Sequence, residues 1–309
     1  MRAVMVGAGG VGGYIGVRMA AAGHDVAWLA RGETLAALRE RGIVLESPQG
    51  EARLPPQRAS DDPAALGIAD AVIVSVKLYD LPAVAPRLRS LLGNDTAILP
   101  LENGVDAHTI LAEALPGTAP LLGTVSIKSS RTAPGRIAAK SEFCRIRMGE
   151  ADGKSTARIE RLAAALNGCA GISAEIAPDM EAALWRKFVM LASFSAVACL
   201  SRASIGQVLA DAQAKDLMLR ATEEAAAVGR ARGVSLPADI HGAIFAQVEH
   251  MPRDGRPSML EDLEAGRPLE LDYLSGAVVR LGRAAGVPTP IHAFAYRALA
   301  MHAAGARKA

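Results

Sequence analysis

The sequence predicts an α/β domain built on a parallel sheet, followed by an all-α domain, and three observations carry that expectation. A short apolar strand opens directly into a glycine-rich turn and a helix. A later segment, Ala71–Val76, is of the apolar kind that parallel sheets bury on both faces. After Pro178 strand-like segments cease, and helical ones run to the C-terminus. The length of 309 residues agrees, since chains beyond ~250–300 residues tend to divide into separate cores. The boundary is expected near Ala177, giving an α/β domain over 1–177 and a helical domain over 178–309.

Ala3–Val6 has no helical period and reads as a strand. Gly7-Ala8-Gly9-Gly10-Val11-Gly12 follows and leads into a helical pattern from Gly13 to Ala22. In the context strand, turn, helix, the spacing G-x-G-x-x-G is a dinucleotide signature. Gly7 permits the sharp turn, Gly9 lets backbone approach a pyrophosphate, and Gly12 allows close packing of helix on strand. The helix N-terminus then faces the phosphates. Gly7, Gly9 and Gly12 are therefore cofactor-binding residues, and the domain is of Rossmann type.

A second strand, Val26–Ala30, ends in Arg31. An acid at that place hydrogen-bonds a ribose 2′-hydroxyl, whereas an arginine pairs with a 2′-phosphate. Arg31 indicates NADP(H), with Glu33 as the NAD-type alternative.

Glu33–Arg41 reads as a helix, Ile43–Glu46 and Glu51–Leu54 as strands, and Asp62–Leu66 as a helical turn. Ala71–Val76 ends in Lys77, and the strand Thr96–Leu101 ends in Glu102-Asn103-Gly104, ahead of a helix over 105–115. Parallel sheets bind ligands outside the carboxyl ends of their strands, which places Lys77 and Asn103 at the rim of the glycine turn. A snorkelling lysine and an Asn-Gly turn account for the same residues. From Pro120 to Ile176, short strands at Thr124–Ile127, Arg136–Ala138 and Cys144–Met148, with a helix at Ser155–Asn167, are expected to extend the first sheet.

Thirty-four basic against 32 acidic residues leave a net charge of +2, and aromatics are 4%, too little of either for a nucleic-acid surface. The same balance argues against membrane-surface binding. Phe188–Leu200 is the longest apolar run of note and is shorter than the ~20 residues of a membrane span, so it is expected to be a core helix. Cys144, Cys169 and Cys199 are odd in number and set in apolar company, as buried thiols of a cytoplasmic protein are. No metal site is expected.

In the helical domain, Trp185-Arg186-Lys187-Phe188 introduces a segment apolar on every face. Lys187 shares a helical face with Leu191 and with Phe194 or Ser195. Desolvation there lowers a lysine pKa toward the range useful for acid–base work; a lysine whose head escapes to water is the plain alternative. Ser258-Met259-Leu260-Glu261 matches an S-x-x-E capping box, with a hydroxyl beside orphan N–H groups suited to a substrate carboxylate. Glu270, Asp272 and Tyr273 follow on what reads as the start of the next helix, where acids are ordinarily solvated.

Taken together, Gly7–Gly12, Arg31, Lys77, Asn103-Gly104, Trp185-Arg186-Lys187, Ser258-Met259 and Glu270-Leu271-Asp272-Tyr273 resemble the ketopantoate reductase (2-dehydropantoate 2-reductase) family, in order and spacing over nearly the whole chain. The resemblance implies a helical domain like the C-terminal domain of 6-phosphogluconate dehydrogenase. It also implies NADPH-dependent reduction of a 2-oxo acid, 2-dehydropantoate to pantoate, on the pantothenate route. Lys187 would be the general acid, Glu270 its partner and a substrate-hydroxyl contact, and Ser258 a carboxylate contact. Lys77 and Asn103 would lie between cofactor and substrate, and a homodimer is the assembly considered.

One departure concerns recognition. The family carries Asn one turn after the lysine, and commonly another a turn later, where this chain has Leu191 and Ser195. Serine keeps a hydrogen bond to substrate and leucine cannot. Gly255 also replaces an Asn that often precedes the family serine by three residues. A paralogue reducing a less polar 2-oxo acid, and a non-catalytic NADP(H)-sensing protein, are the alternatives. A 3-hydroxy-acid dehydrogenase would need a Ser-Gly-Gly substrate loop, and Thr124-Val125-Ser126 supplies none.

Overall fold

In the computed structural model, which describes residues 1–306, β1 (Arg2–Val6) leads through the glycine turn into α1 (Gly10–Ala21). Then come β2 (Asp25–Leu29), α2 (Gly32–Glu40), the hairpin β3 (Ile43–Ser47) and β4 (Gly50–Leu54), the two-residue β5 (Ala59–Ser60) and β6 (Ala69–Val74). A short α3 (Leu81–Val84) and a 3-10 segment, Ala85–Leu91, precede β7 (Leu92–Pro100) and α4 (Ala107–Ala114). Strands β5, β2, β1, β6 and β7 form, in that order, one parallel sheet. Its central strands are buried because Ala3, Val4, Met5, Ala71, Val72, Ile73 and Val74 offer apolar surface to both faces. Gly16 of α1 makes room for the Trp28 indole, and Tyr14, Ile15 and Met19 fill the space between helix and sheet.

The rest of this unit is β8 (Leu122–Ser126), β9 (Ser129–Ala133), β10 (Arg136–Ala139), β11 (Cys144–Gly149), α5 (Ala157–Asn167) and β12 (Ile172–Ile176). These strands do not extend the first sheet as expected. β8 commits its ladder to antiparallel pairing with β11, giving a separate sheet β12-β11-β8 that meets the first through the Leu121 N–H donating to Ile98 O at 2.8 Å. β10 inserts beside β3, so β9 and β10 complete a second sheet, β4-β3-β10-β9.

The compact units of the chain are Met1–Glu102 with Ala107–Met180, and Asn103–Asp106 with everything described from Glu181 onward. The expected boundary at Ala177 lies three residues ahead of that division.

The second unit holds α6 (Met180–Ser201), α7 (Ile205–Ala210), α8 (Ala212–Ala231), α9 (Ile240–Glu249), α10 (Ser258–Glu264), a 3-10 turn at Leu271–Tyr273, α11 (Ser275–Ala285) and α12 (Pro290–Leu299). With 22 residues α6 is long enough to cross a bilayer, but 78% of its most apolar stretch is buried among its neighbours; Phe188, Val189, Ala192, Phe194 and Val197 are core residues. Asp211 caps α8 by accepting from the N–H groups of Gln213 and Ala214, and Ser204 with Gln207 forms a capping box on α7.

The start of α12 is held by Glu224, whose carboxylate accepts from the N–H groups of Ile291 at 2.8 Å and His292 at 3.0 Å. The His292 ring lies wholly buried between the Ser275 hydroxyl and the Ala221 carbonyl, and burial pushes its pKa down to about 4. The folded protein therefore holds this ring neutral, while the unfolded chain protonates it below ~6.5. The stabilisation is complete above that pH and is lost progressively as pH falls toward 4. Between pH 7.5 and 5, wild type should lose about 2 kcal/mol more than His292→Gln, read as the difference in urea midpoints; identical losses would remove the histidine from the pH response.

Candidate active site

Strands β2, β1 and β6 are neighbours, and their carboxyl ends lead to Arg31, the glycine turn and Lys77. Three of the expected cofactor elements thus share one rim, because parallel strands must all end on the same side. Gly7 has φ +98, a left-handed conformation that side chains resist. Gly9 occupies the N-cap of α1, where no side chain caps the helix. A Cβ on Gly9 would enter open space, whereas one on Gly12 would run into the Gly7 carbonyl and the Ser75 hydroxyl. The turn is therefore open where a pyrophosphate has to approach and tight where helix meets strand. These residues fit a dinucleotide.

Arg31 is the N-cap residue of α2, and its exposed guanidinium donates through Nη2 to both carboxylate oxygens of Asp80, at 2.9 and 3.0 Å. Glu33 is exposed in the first turn of the same helix. Lys77 lies in the loop between β6 and α3, half-buried, and its carbonyl accepts from the Asp80 N–H at 2.8 Å. Asp80 was not marked by the sequence. Its position beyond an apolar strand was the available signal, but its partner lies 49 residues away.

Asn103 and Gly104 belong with the helical unit, although they follow β7 of the first sheet. Asp106 anchors this short segment by accepting from Arg280 Nη2 of α11 at 2.8 and 2.7 Å. The Tyr273 phenol has its pKa raised by burial first and then by the charges of Asp106 and Asp272. The Asn103 segment and the turn after Glu270 are thereby drawn to one place.

Lys187 stands in the third turn of α6, not at a helix start, and is half-buried. From 187 to 199 the only residues of this helix that are not fully buried are Lys187 and Leu191, one turn apart on one face. Ser195, a further turn along, is buried. An ammonium and an isobutyl group thus line the one face of this stretch of α6 that is not closed over.

Glu270 is only 4% exposed and immediately precedes the 3-10 turn, so the solvated helix start expected from sequence is not what forms. The turn at Leu271–Tyr273 separates it from α11. Asp272 accepts from the Tyr296 hydroxyl at 2.7 Å, a tie to α12. The capping box expected at Ser258 is likewise absent. Ser258 is the first helical residue of α10, exposed, and Pro257 takes the N-cap without a side-chain bond. The fixed φ of Pro257 starts the helix one residue early for a serine cap. Gly255 has no room for a side chain, since its Cβ would come within 2.8 Å of the Pro252 carbonyl, and its own carbonyl accepts from Ile205 N at 2.8 Å.

Comparison with known proteins agrees with this arrangement. The family model described as ketopantoate reductase PanE/ApbA matches residues 3–153, and its C-terminal counterpart matches residues 179–303. A 2-dehydropantoate 2-reductase of Mesorhizobium japonicum is 30% identical, with 94% of each chain covered. The crystal structure of 2-dehydropantoate 2-reductase from Geobacter metallireducens superposes with a TM-score of 0.88 at 28% identity, covering 97% of this chain and 99% of that one. A D-mandelate dehydrogenase solved with NADH and anilino(oxo)acetate shares the fold, with a TM-score of 0.87 at 19% identity and 98% of each chain covered. With a glycine turn fit for a dinucleotide, a half-enclosed lysine in a buried helix and family models over both units, the chain belongs to the ketopantoate reductase family of oxidoreductases acting on CH–OH groups.

Proposed function

We propose that the protein reduces the oxo group of a 2-oxo acid at the expense of NADPH, converting 2-dehydropantoate to pantoate in the cytoplasm as a step of pantothenate biosynthesis. The observation that supports this reading most is Lys187, half-buried two turns inside α6 at the start of a stretch, 187–199, that is buried apart from Lys187 and Leu191. When bound, NADPH supplies the hydride. Attack on a ketone carbon builds negative charge on its oxygen, and an adjacent ammonium both stabilises that charge and delivers the proton. Lys187 performs both tasks. Glu270, a buried carboxylate in the same unit, is the partner of Lys187 and a contact for a substrate hydroxyl. Ser258, Asn103 and Ser195 anchor the substrate. Gly7, Gly9, Gly12, Arg31 and Lys77 hold the nucleotide.

Leu191 favours a second reading, in which the substrate is a less polar 2-oxo acid. A side chain one turn from Lys187 on the open face meets what lies beside the reacting carbonyl, and leucine offers it no hydrogen bond. The test is loss of NADPH absorbance with 2-dehydropantoate and with 2-oxoisovalerate. On the first reading wild type prefers 2-dehydropantoate and Leu191→Asn leaves that preference unchanged. On the second, wild type prefers 2-oxoisovalerate and Leu191→Asn raises kcat/KM for 2-dehydropantoate by roughly 10- to 100-fold. Consumption with neither, nor with any other 2-oxo acid, would leave a nucleotide-binding protein without turnover.

A further inference from the structure

The Arg31–Asp80 pair bridges the loops that follow β2 and β6, the two strands flanking β1. It therefore spans the carboxyl end of β1, where the glycine turn begins. Stability does not account for it. The Arg31 side chain is 78% exposed and that of Asp80 31%, and exposed ion pairs contribute about 0–1 kcal/mol. Nor is Asp80 a helix cap. It occupies the N-cap position of α3, yet its carboxylate accepts no backbone N–H there and turns to Arg31 instead.

We infer that Asp80 is a cofactor-selectivity residue that lowers the preference of this site for a 2′-phosphate over a 2′-hydroxyl. The inference rests on the reading of Arg31 as the group that meets the ribose 2′ position. Both oxygens of Asp80 engage a single nitrogen of Arg31, so Nη1 and Nε keep their donors for an incoming anion. A phosphate taken by those donors must lie within one guanidinium of a carboxylate, and the two anions repel. A ribose hydroxyl at the same place meets no such penalty, since a carboxylate accepts its hydrogen bond. The pair serves both cofactors, one through each member, and the phosphorylated one binds less tightly than Arg31 alone would allow.

The test is the dissociation constant of NADPH and of NADH, measured by calorimetry without substrate, for wild type, Asp80→Asn and Arg31→Ala at low and high salt. Asp80→Asn should tighten NADPH roughly five- to thirty-fold at low salt, leave NADH unchanged or a few-fold weaker, and lose most of the NADPH gain at high salt. The melting temperature should not move. Weaker NADPH binding by Asp80→Asn would show that the carboxylate only aims Arg31, and equal changes for both cofactors would show that it does not read the 2′ position; either result overturns the inference. Failure of the underlying reading is seen separately, as equal losses of both cofactors in Arg31→Ala.

Discussion

Lys187→Met is expected to lower kcat by about 10²- to 10⁴-fold, the usual worth of a positioned general acid, while NADPH affinity and folding are retained. The substitution removes the ammonium but keeps an unbranched chain of similar length on a helix that packs Phe188, Val189, Ala192 and Phe194 into the core. Methionine suits such a place because it fills space adaptably. Glu270→Gln tests the partner. Glu270 is buried, and its replacement should act on turnover and on KM together if it holds Lys187 and a substrate hydroxyl. A change confined to thermal stability would make it a structural group. Turnover of Lys187→Met within a few-fold of wild type would remove the lysine from the chemistry, whatever the effect of Glu270.

Arg31→Ala carries the second large effect. Its guanidinium is the charge-assisted donor at the end of β2, and such a bond contributes about 1.5–3 kcal/mol, or roughly 10- to 100-fold in NADPH affinity. NADH has no 2′-phosphate and should lose little. Because the side chain is exposed and, among the described residues, hydrogen-bonds to Asp80 alone, the substitution should leave the melting temperature nearly unchanged. Equal weakening of both cofactors would take Arg31 out of 2′ recognition.

The parts of this site written locally in the chain are the parts the sequence makes legible. Strand, glycine turn and helix occupy the first 21 residues in unbroken succession; Gly7 and Gly12 have steric reasons that a side chain would violate, while Gly9 leaves the open space a pyrophosphate needs. Arg31 is legible for the same reason, as the first polar residue after an apolar strand. Asp80 is not, because its partner is fixed only by the sheet order that sets β2 and β6 on either side of β1. The same limit applies to β8, whose strand character is local but whose partner, β11, is set by the tertiary arrangement.

Capping and burial in the helical unit show a different limit. Ser258 and Glu261 satisfy the capping pattern, but Pro257 dictates where the helix begins and leaves the serine exposed. Glu270 follows Pro268 like a solvated first-turn acid, yet the chain makes a 3-10 turn that carries it into the interior. Lys187 is legible as a lysine in an apolar segment. That Lys187 and Leu191 together form the opening in the middle of α6 depends on how the surrounding helices pack, which no periodicity in α6 itself records.

Hydride transfer to the C2 carbon of a 2-oxo acid is the central proposed step, and the most direct measurement follows the hydride itself. NADPH deuterated at C4 of the nicotinamide, stereospecifically on each face in turn, is incubated with the wild-type enzyme and 2-dehydropantoate or 2-oxoisovalerate. The product is then examined by proton NMR and mass spectrometry. One face should deliver deuterium to C2 of the 2-hydroxy acid, one atom per molecule of NADPH oxidised, and Lys187→Met should slow this transfer without changing the face. NADPH oxidation without deuterium at C2, or no oxidation with any 2-oxo acid, would contradict the account.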